Sequence, residues 1–122
     1  MPSSYRRRWR DYRTAAGRRP VADFIAGLTD IDAAAVVAAM KEVALEGLRA
    51  SRHLRGDLYE VRAEGDRVTY RILFAPEGTH GQVLLALEAF GKKTRKTPPQ
   101  AIALAERRLK DWRARGASLS RS

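Results

Sequence analysis

Apolar residues recur along this chain at two spacings, and their order predicts helices packed on a small antiparallel sheet. Residues Tyr5–Tyr12 interleave aromatics with arginine and read as a first strand. After the turn Gly17-Arg18-Arg19, Pro20 suits the first turn of a helix, where its missing N–H is not needed. Val21, Phe24, Ile25 and Leu28 follow at i, i+3, i+4 and i+7, one apolar stripe on a short helix. Thr29-Asp30-Ile31-Asp32 opens a second helix with an oxygen cap and early negative charge. Its body, Ala33–Leu45, has no Gly or Pro; Val36, Met40 and Val43 mark the buried side, and Gly47 suits the stop. The close spacing predicts an αα-hairpin.

Residues 58–90 read as a three-stranded antiparallel meander. Gly65-Asp66 fits a two-residue hairpin turn, which predicts the pairs Glu64–Arg67, Arg62–Thr69 and Glu60–Arg71. Alternation then places Tyr59 and Val61 with Val68, Tyr70, Ile72 and Phe74 on the apolar face, completed by Val83, Leu85 and Leu87. Glu60, Arg62, Thr69 and Arg71 fall on the opposite face. Pro76–Gly81 is the second turn. Thr97-Pro98-Pro99-Gln100 starts the last helix, with Thr97 as cap and Gln100 as in a capping box. Ile102, Ala105, Leu109 and Trp112 form its stripe, Gly116 its end, and Ala117–Ser122 a frayed tail. The predicted order is β-α-α-β-β-β-α, an α+β pattern in a single domain over residues 1–122.

Charge adds direction to this outline. The 122 residues carry a net charge of +10, which draws anionic partners. Residues 1–19 hold seven Arg against one Asp, whereas residues 20–50 are acidic on balance. There is no cysteine, which excludes disulfides and thiolate metal sites. No apolar run approaches the roughly 18 residues needed to cross a membrane. No phosphate-cradling glycine motif, metal-ligand cluster or Ser-His-Asp arrangement is visible, so no cofactor and no metal is expected.

The candidate chemistry lies on one surface. Arg62 and Arg71 share the polar sheet face, and Phe90-Gly91-Lys92-Lys93-Thr94-Arg95-Lys96-Thr97-Pro98 is a cationic loop beside it. Arginines on a sheet next to such a loop form a site for a polyanion. The bland alternative pairs Arg71 with Glu60 across the strands and leaves Arg62 solvated. Phe90 either stacks a base or packs at the sheet edge. His53, of a residue type that can serve as acid or base, reads as structural or solvated, and His80 as an exposed turn residue. Tyr59, Tyr70 and Trp112 read as packing residues. The Arg6–Arg10 stretch is a solvated face or a secondary phosphate contact.

The run Leu54-Arg55-Gly56-Asp57-Leu58-Tyr59-Glu60-Val61-Arg62 resembles the L-x-G-x-L-Y-E-x-R segment of phage-derived HigB-like toxins of the RelE/ParE superfamily. Tyr70-Arg71-Ile72-Leu73-Phe74 is similar to that family's next strand, and the loop from Phe90 to Pro98 to its F-x-K-K-T-x-K-T-P segment. Ala105-Glu106-Arg107-Arg108 fits the helix that follows, and Gly17 with Pro20-Val21 the start of the first helix. The resemblance spans about residues 9–113. It implies a RelE-like fold and the toxin of a toxin–antitoxin pair. The partners implied are an antitoxin, often with a helix-turn-helix, and the ribosome with its mRNA in the cytoplasm. The usual activity is ribosome-dependent mRNA cleavage without a metal. Arg62 and Arg71 would then stabilise charge on the phosphate, and Lys93 would move a proton. Lys92, Arg95, Lys96 and Phe90 would bind RNA. The superfamily also holds gyrase inhibitors, and a non-catalytic basic binding module is a further alternative, so fold alone does not choose the target.

Overall fold

The computed structural model describes residues 7–92 and 96–120, excepting the side chains of Lys92 and of residues 117–120. Its elements are β1 (Arg8–Asp11), α1 (Pro20–Ala26), α2 (Asp30–Glu46), a 3-10 turn (Leu48–Ala50), β2 (Arg52–Arg55), β3 (Leu58–Glu64), β4 (Thr69–Glu77), β5 (Val83–Lys92) and α3 (Pro99–Ser120). The strands form one five-stranded sheet in the order β1-β5-β4-β3-β2. The expected α+β architecture is present, and it is compatible with a RelE-like fold.

The helical hairpin forms as its pattern predicts. Pro20 occupies the first turn of α1, and Val21 is buried. Thr29 caps α2 by accepting the Asp32 N–H, Val36 and Val43 are buried, and Gly47 ends the helix at φ +84°. The hairpin covers one face of the sheet, where Val61, Tyr70, Ile72, Phe74, Leu84 and Ala86 complete the core. Trp9 joins them, edge-on to Phe74 at 5.0 Å, with its indole N–H donated to the Met40 carbonyl at 2.7 Å. On the other face, α3 lays Ala105, Leu109 and Trp112 over Leu58, Leu73, Ala75, Leu85 and Leu87. Strand β4 is thus sealed on both sides, and every residue from Tyr70 to Ala75 is buried. A central strand of this kind reads as a continuous apolar run; Arg71 is the charged interruption.

The structure corrects the sequence reading in several places. The sheet is mixed, because β1 runs parallel to β5. It also has a short edge strand, β2, joined to β3 through Gly56-Asp57. Neither pairing direction nor so brief a strand leaves a clear periodic signal. The β3–β4 register differs by two residues from expectation: Glu64 faces Thr69, Arg62 faces Arg71, and Glu60 faces Leu73. The shift is even, so both predicted faces survive. Its cause is Gly65, whose N–H donates to the Val68 carbonyl at 2.8 Å and moves the turn to Asp66-Arg67. A Cβ on Gly65 would meet the Tyr70 ring at 2.5 Å and the Asp32 carboxylate at 2.9 Å, so this glycine serves close packing and not the turn itself.

Leu85 and Leu87 belong to the α3 side, not to the hairpin side as expected; Leu84 and Ala86 take that place. The strand is apolar on both faces there, and a bulge between Leu73 and Phe74 disturbs the alternation. Thr97 does not cap α3. The Pro98 carbonyl receives the first helical N–H groups, from Ala101 and Ile102, while the Thr97 hydroxyl turns elsewhere. Finally, α3 continues past Gly116 to Ser120 instead of fraying there.

Candidate nucleic-acid interface

Ladder register and strand alternation lay out a grid on the α3 side of the sheet, beside the start of that helix. Across β3, β4 and β5 its rows are Glu64–Thr69–Lys92, Arg62–Arg71–Phe90 and Glu60–Leu73–Glu88. The predicted pair of arginines therefore shares a surface, and the two are direct partners. Like charges placed opposite each other in an antiparallel ladder repel. Such a pair persists only if something compensates it.

Glu60 does so. Its Oε2 accepts from Arg62 Nε at 3.1 Å, and its Oε1 lies 3.8 Å from Arg71 Nη1. The Thr97 hydroxyl donates to the same Oε1 at 2.5 Å and accepts from Arg71 Nη1 at 3.4 Å. Glu60 and Arg71 are each 1% exposed. A buried carboxylate is tolerable only when paired and hydrogen-bonded, and here two guanidinium groups and a hydroxyl meet that need. Burial pulls the Arg71 guanidinium below its ordinary value, Glu60 opposes the shift, and Arg62 and Arg52 add to it by repulsion. Arg71 still carries its charge. The Arg62 side chain, 34% exposed, reaches solvent, as does Arg52, which faces Glu60 across β2 and β3.

Of the bland reading, the pairing of Arg71 with Glu60 is present, whereas Arg62 is held by the same carboxylate and is not merely solvated. Thr97 is the member of the cluster that sequence reasoning assigned to another task, the cap of α3; Glu60 was expected to pair with Arg71 but not to hold Arg62 as well. Phe90 sits next to Arg71, packed against the α3-side core and partly open. Lys96 is exposed. Lys92 ends β5, and Lys93 and Arg95 lie outside the described residues.

The histidines stand away from this surface. His53 Nε2 bonds the Gly56 carbonyl at 2.7 Å, and the ring leans on Tyr59, which belongs to the hairpin face. His80 lies exposed in the β4–β5 turn. Tyr59 and Tyr70 pack as expected, but Tyr70 has a second role. Its hydroxyl donates to Asp32 Oδ2 at 2.5 Å, while Asp32 Oδ1 accepts the Asp66 N–H at 2.8 Å. The Tyr70 hydroxyl, followed by that N–H, holds the Asp32 carboxyl below the usual range. This clasp ties α2 to the hairpin tip. Arg10 lies over the Trp112 ring, 5.7 Å from its centroid, at the far end of α3, and Arg6 is outside the described residues.

Residues 23–110 match the family described as "Phage derived protein Gp49-like (DUF891)". The chain is also 32% identical over 108 residues to proteins named "Probable endoribonuclease HigB1" from Mycobacterium tuberculosis strains CDC 1551 / Oshkosh and H37Rv. The match covers 86% of this chain and 84% of each relative.

Proposed function

The chain belongs to the phage-derived Gp49-like family, the HigB-type toxins to which its motifs pointed, and on that premise we propose that it is the toxin of a type II toxin–antitoxin pair that cleaves translated mRNA on the ribosome. The observation that carries this reading is the opposed pair Arg62 and Arg71, gathered by Glu60 beside Thr97. A fold has little structural reason to place two arginines face to face. A site for a phosphate has one, because the guanidinium fork matches phosphate oxygens.

In this reading the 2′-hydroxyl of the nucleotide before the cut attacks the adjacent phosphorus. A 2′,3′-cyclic phosphate forms and the 5′ oxygen leaves as a hydroxyl. Arg62, the more exposed of the pair, donates to the non-bridging oxygens as their charge grows. Arg71 adds positive potential from beneath, where low dielectric keeps it effective. Lys93 handles a proton. Lys92, Arg95 and Lys96 hold flanking phosphates, and Phe90 stacks a base. No metal or cofactor is assigned a step. A single domain carries the activity, its partner is a cognate antitoxin, expected to bear a helix-turn-helix, and its place of action is the cytoplasm.

The test is inducible expression without the antitoxin, with mapping of new 5′ ends on cellular messages. The reading predicts cuts inside translated frames that disappear when translation is blocked. Growth arrest with DNA damage and intact messages would contradict it and indicate gyrase. Harmless expression at high level would contradict it too and leave a binding module.

A further inference from the structure

We propose that a cavity between the outer edge of β5 and the first turns of α3 is a nucleobase subsite, placed to read the base beside the bound phosphate. This inference rests on the RNA-cleaving reading above and adds where the base goes and which residues recognise it.

The geometry begins with the row Arg62–Arg71–Phe90, which crosses three adjacent strands on one face. Neighbouring strands lie about 4.8 Å apart. Phe90 therefore lies one strand beyond Arg71 and two beyond Arg62, on the order of 10 Å from the latter, a span that a nucleotide's ribose and base bridge. Strand β1 pairs with β5 only from Val83 to Ala86, so among the described residues no strand covers the edge beyond Ala86. Alongside that open edge is a cavity of about 280 Å³. Phe90 and Glu88 line it from β5, and Pro98, Gln100, Ala101 and Leu104 from the start of α3. One base fits such a volume.

The lining suits a base more than a phosphate. Phe90 is anchored against the α3-side core while still facing the cavity, so its ring offers a fixed stacking surface. Pro98, Ala101 and Leu104 give an apolar wall to this open cavity. Gln100 is exposed and carries both a donor and an acceptor, enough to contact one edge of a base. Glu88 is already engaged: it accepts the Ala89 N–H at 3.0 Å and pairs with Arg108 at 3.3 Å. It therefore acts as a wall that disfavours a second phosphate. Shape and stacking come from Phe90 and Leu104, and edge reading from Gln100.

The experiment uses the full-length protein and short single-stranded RNAs with 2′-O-methyl riboses, which cannot be cut. Each position in turn carries 2-aminopurine, whose fluorescence falls on stacking, or an abasic residue. The expected result is one position where 2-aminopurine is quenched and where the abasic ligand binds about tenfold more weakly. Phe90→Leu should abolish both effects while leaving affinity for the abasic ligand intact. Leu104→Trp, which fills the cavity, should do the same and covers the case in which Phe90→Leu fails to fold. Gln100→Ala should keep the quench and flatten the preference among bases. Arg62→Ala should weaken every ligand alike. Binding with no quenched position, or a quench that survives both Phe90→Leu and Leu104→Trp, overturns the subsite and leaves the nuclease reading standing. No binding of any free RNA overturns the subsite too, while the nuclease reading is decided separately by the mapping of message cuts.

Discussion

Tyr70 and Arg71 are neighbours on the central strand, both buried, and each is met by a buried carboxylate from another element. Tyr70 points to the helical hairpin and donates to Asp32. Arg71 points the other way and meets Glu60. On the hairpin side, a neutral hydroxyl and a backbone N–H satisfy one carboxylate by hydrogen bonding, and no cation meets it there among the described residues. On the other side, one carboxylate serves two arginines and a threonine, and positive charge remains. The first arrangement is a clasp that fixes geometry. The second holds two cations on one carboxylate, and that difference is what the proposed phosphate site rests on.

The largest effect on stability should come from Glu60→Ala. It strands Arg71 in the interior, and breaking a buried pair in this way costs about 3–5 kcal/mol. The shift in urea midpoint measures it; a loss under about 1 kcal/mol would mean that the hub contributes no more than a surface pair.

Arg62→Ala should separate function from fold. Its side chain is one-third exposed, so stability should change by less than about 1 kcal/mol, while cleavage should fall at least about 100-fold. Arg71→Ala should also abolish toxicity, but with a stability loss that Arg62→Ala lacks.

Tyr70→Phe should cost about 1–2 kcal/mol at neutral pH without altering cleavage, because the Asp32 carboxylate loses its hydroxyl donor. The pH dependence has a definite sign. Asp32 is held below its unfolded value, so its contribution is present above about pH 4 and is lost as pH falls through the depressed folded value. Tyr70 is raised, chiefly by its hydrogen bond to Asp32, so its contribution is present below about pH 10 and is lost as pH rises beyond it. The gap between wild type and Tyr70→Phe should be widest between those limits. A gap that stays constant from pH 3 to pH 7 would sever the clasp from Asp32.

Smaller still, Thr29→Ala should cost about 1 kcal/mol through the lost cap of α2. Arg55→Ala should cost less than about 1 kcal/mol, although Arg55 bonds both oxygens of Glu106, because that pair is exposed.

Much of this was legible in the residues. Helical spacing located α1 and α2, and alternation sorted Glu60, Arg62 and Arg71 onto one face even though the register was two residues off. Parity survives an even slip, which is why the shared face could be read through the wrong turn. What stayed hidden depends on contacts distant in sequence. Thr97 looks like a helix cap because it precedes two prolines; only the fold brings Glu60 within its reach. Gly65 looks like a turn glycine until Tyr70 and Asp32 are seen to need its missing Cβ. The signal for Glu60 was present, since it alternates onto the face of Arg62, although Glu64 does so too.

The central claim is that the opposed arginines form the phosphate site of a ribonuclease. Its most direct test is the cleavage rate of purified wild type and Arg62→Ala on programmed ribosomes, with thermal unfolding of both measured in the same buffer. The account predicts matching unfolding and a rate at least about 100-fold lower for the variant. Equal rates in two equally stable proteins would contradict it.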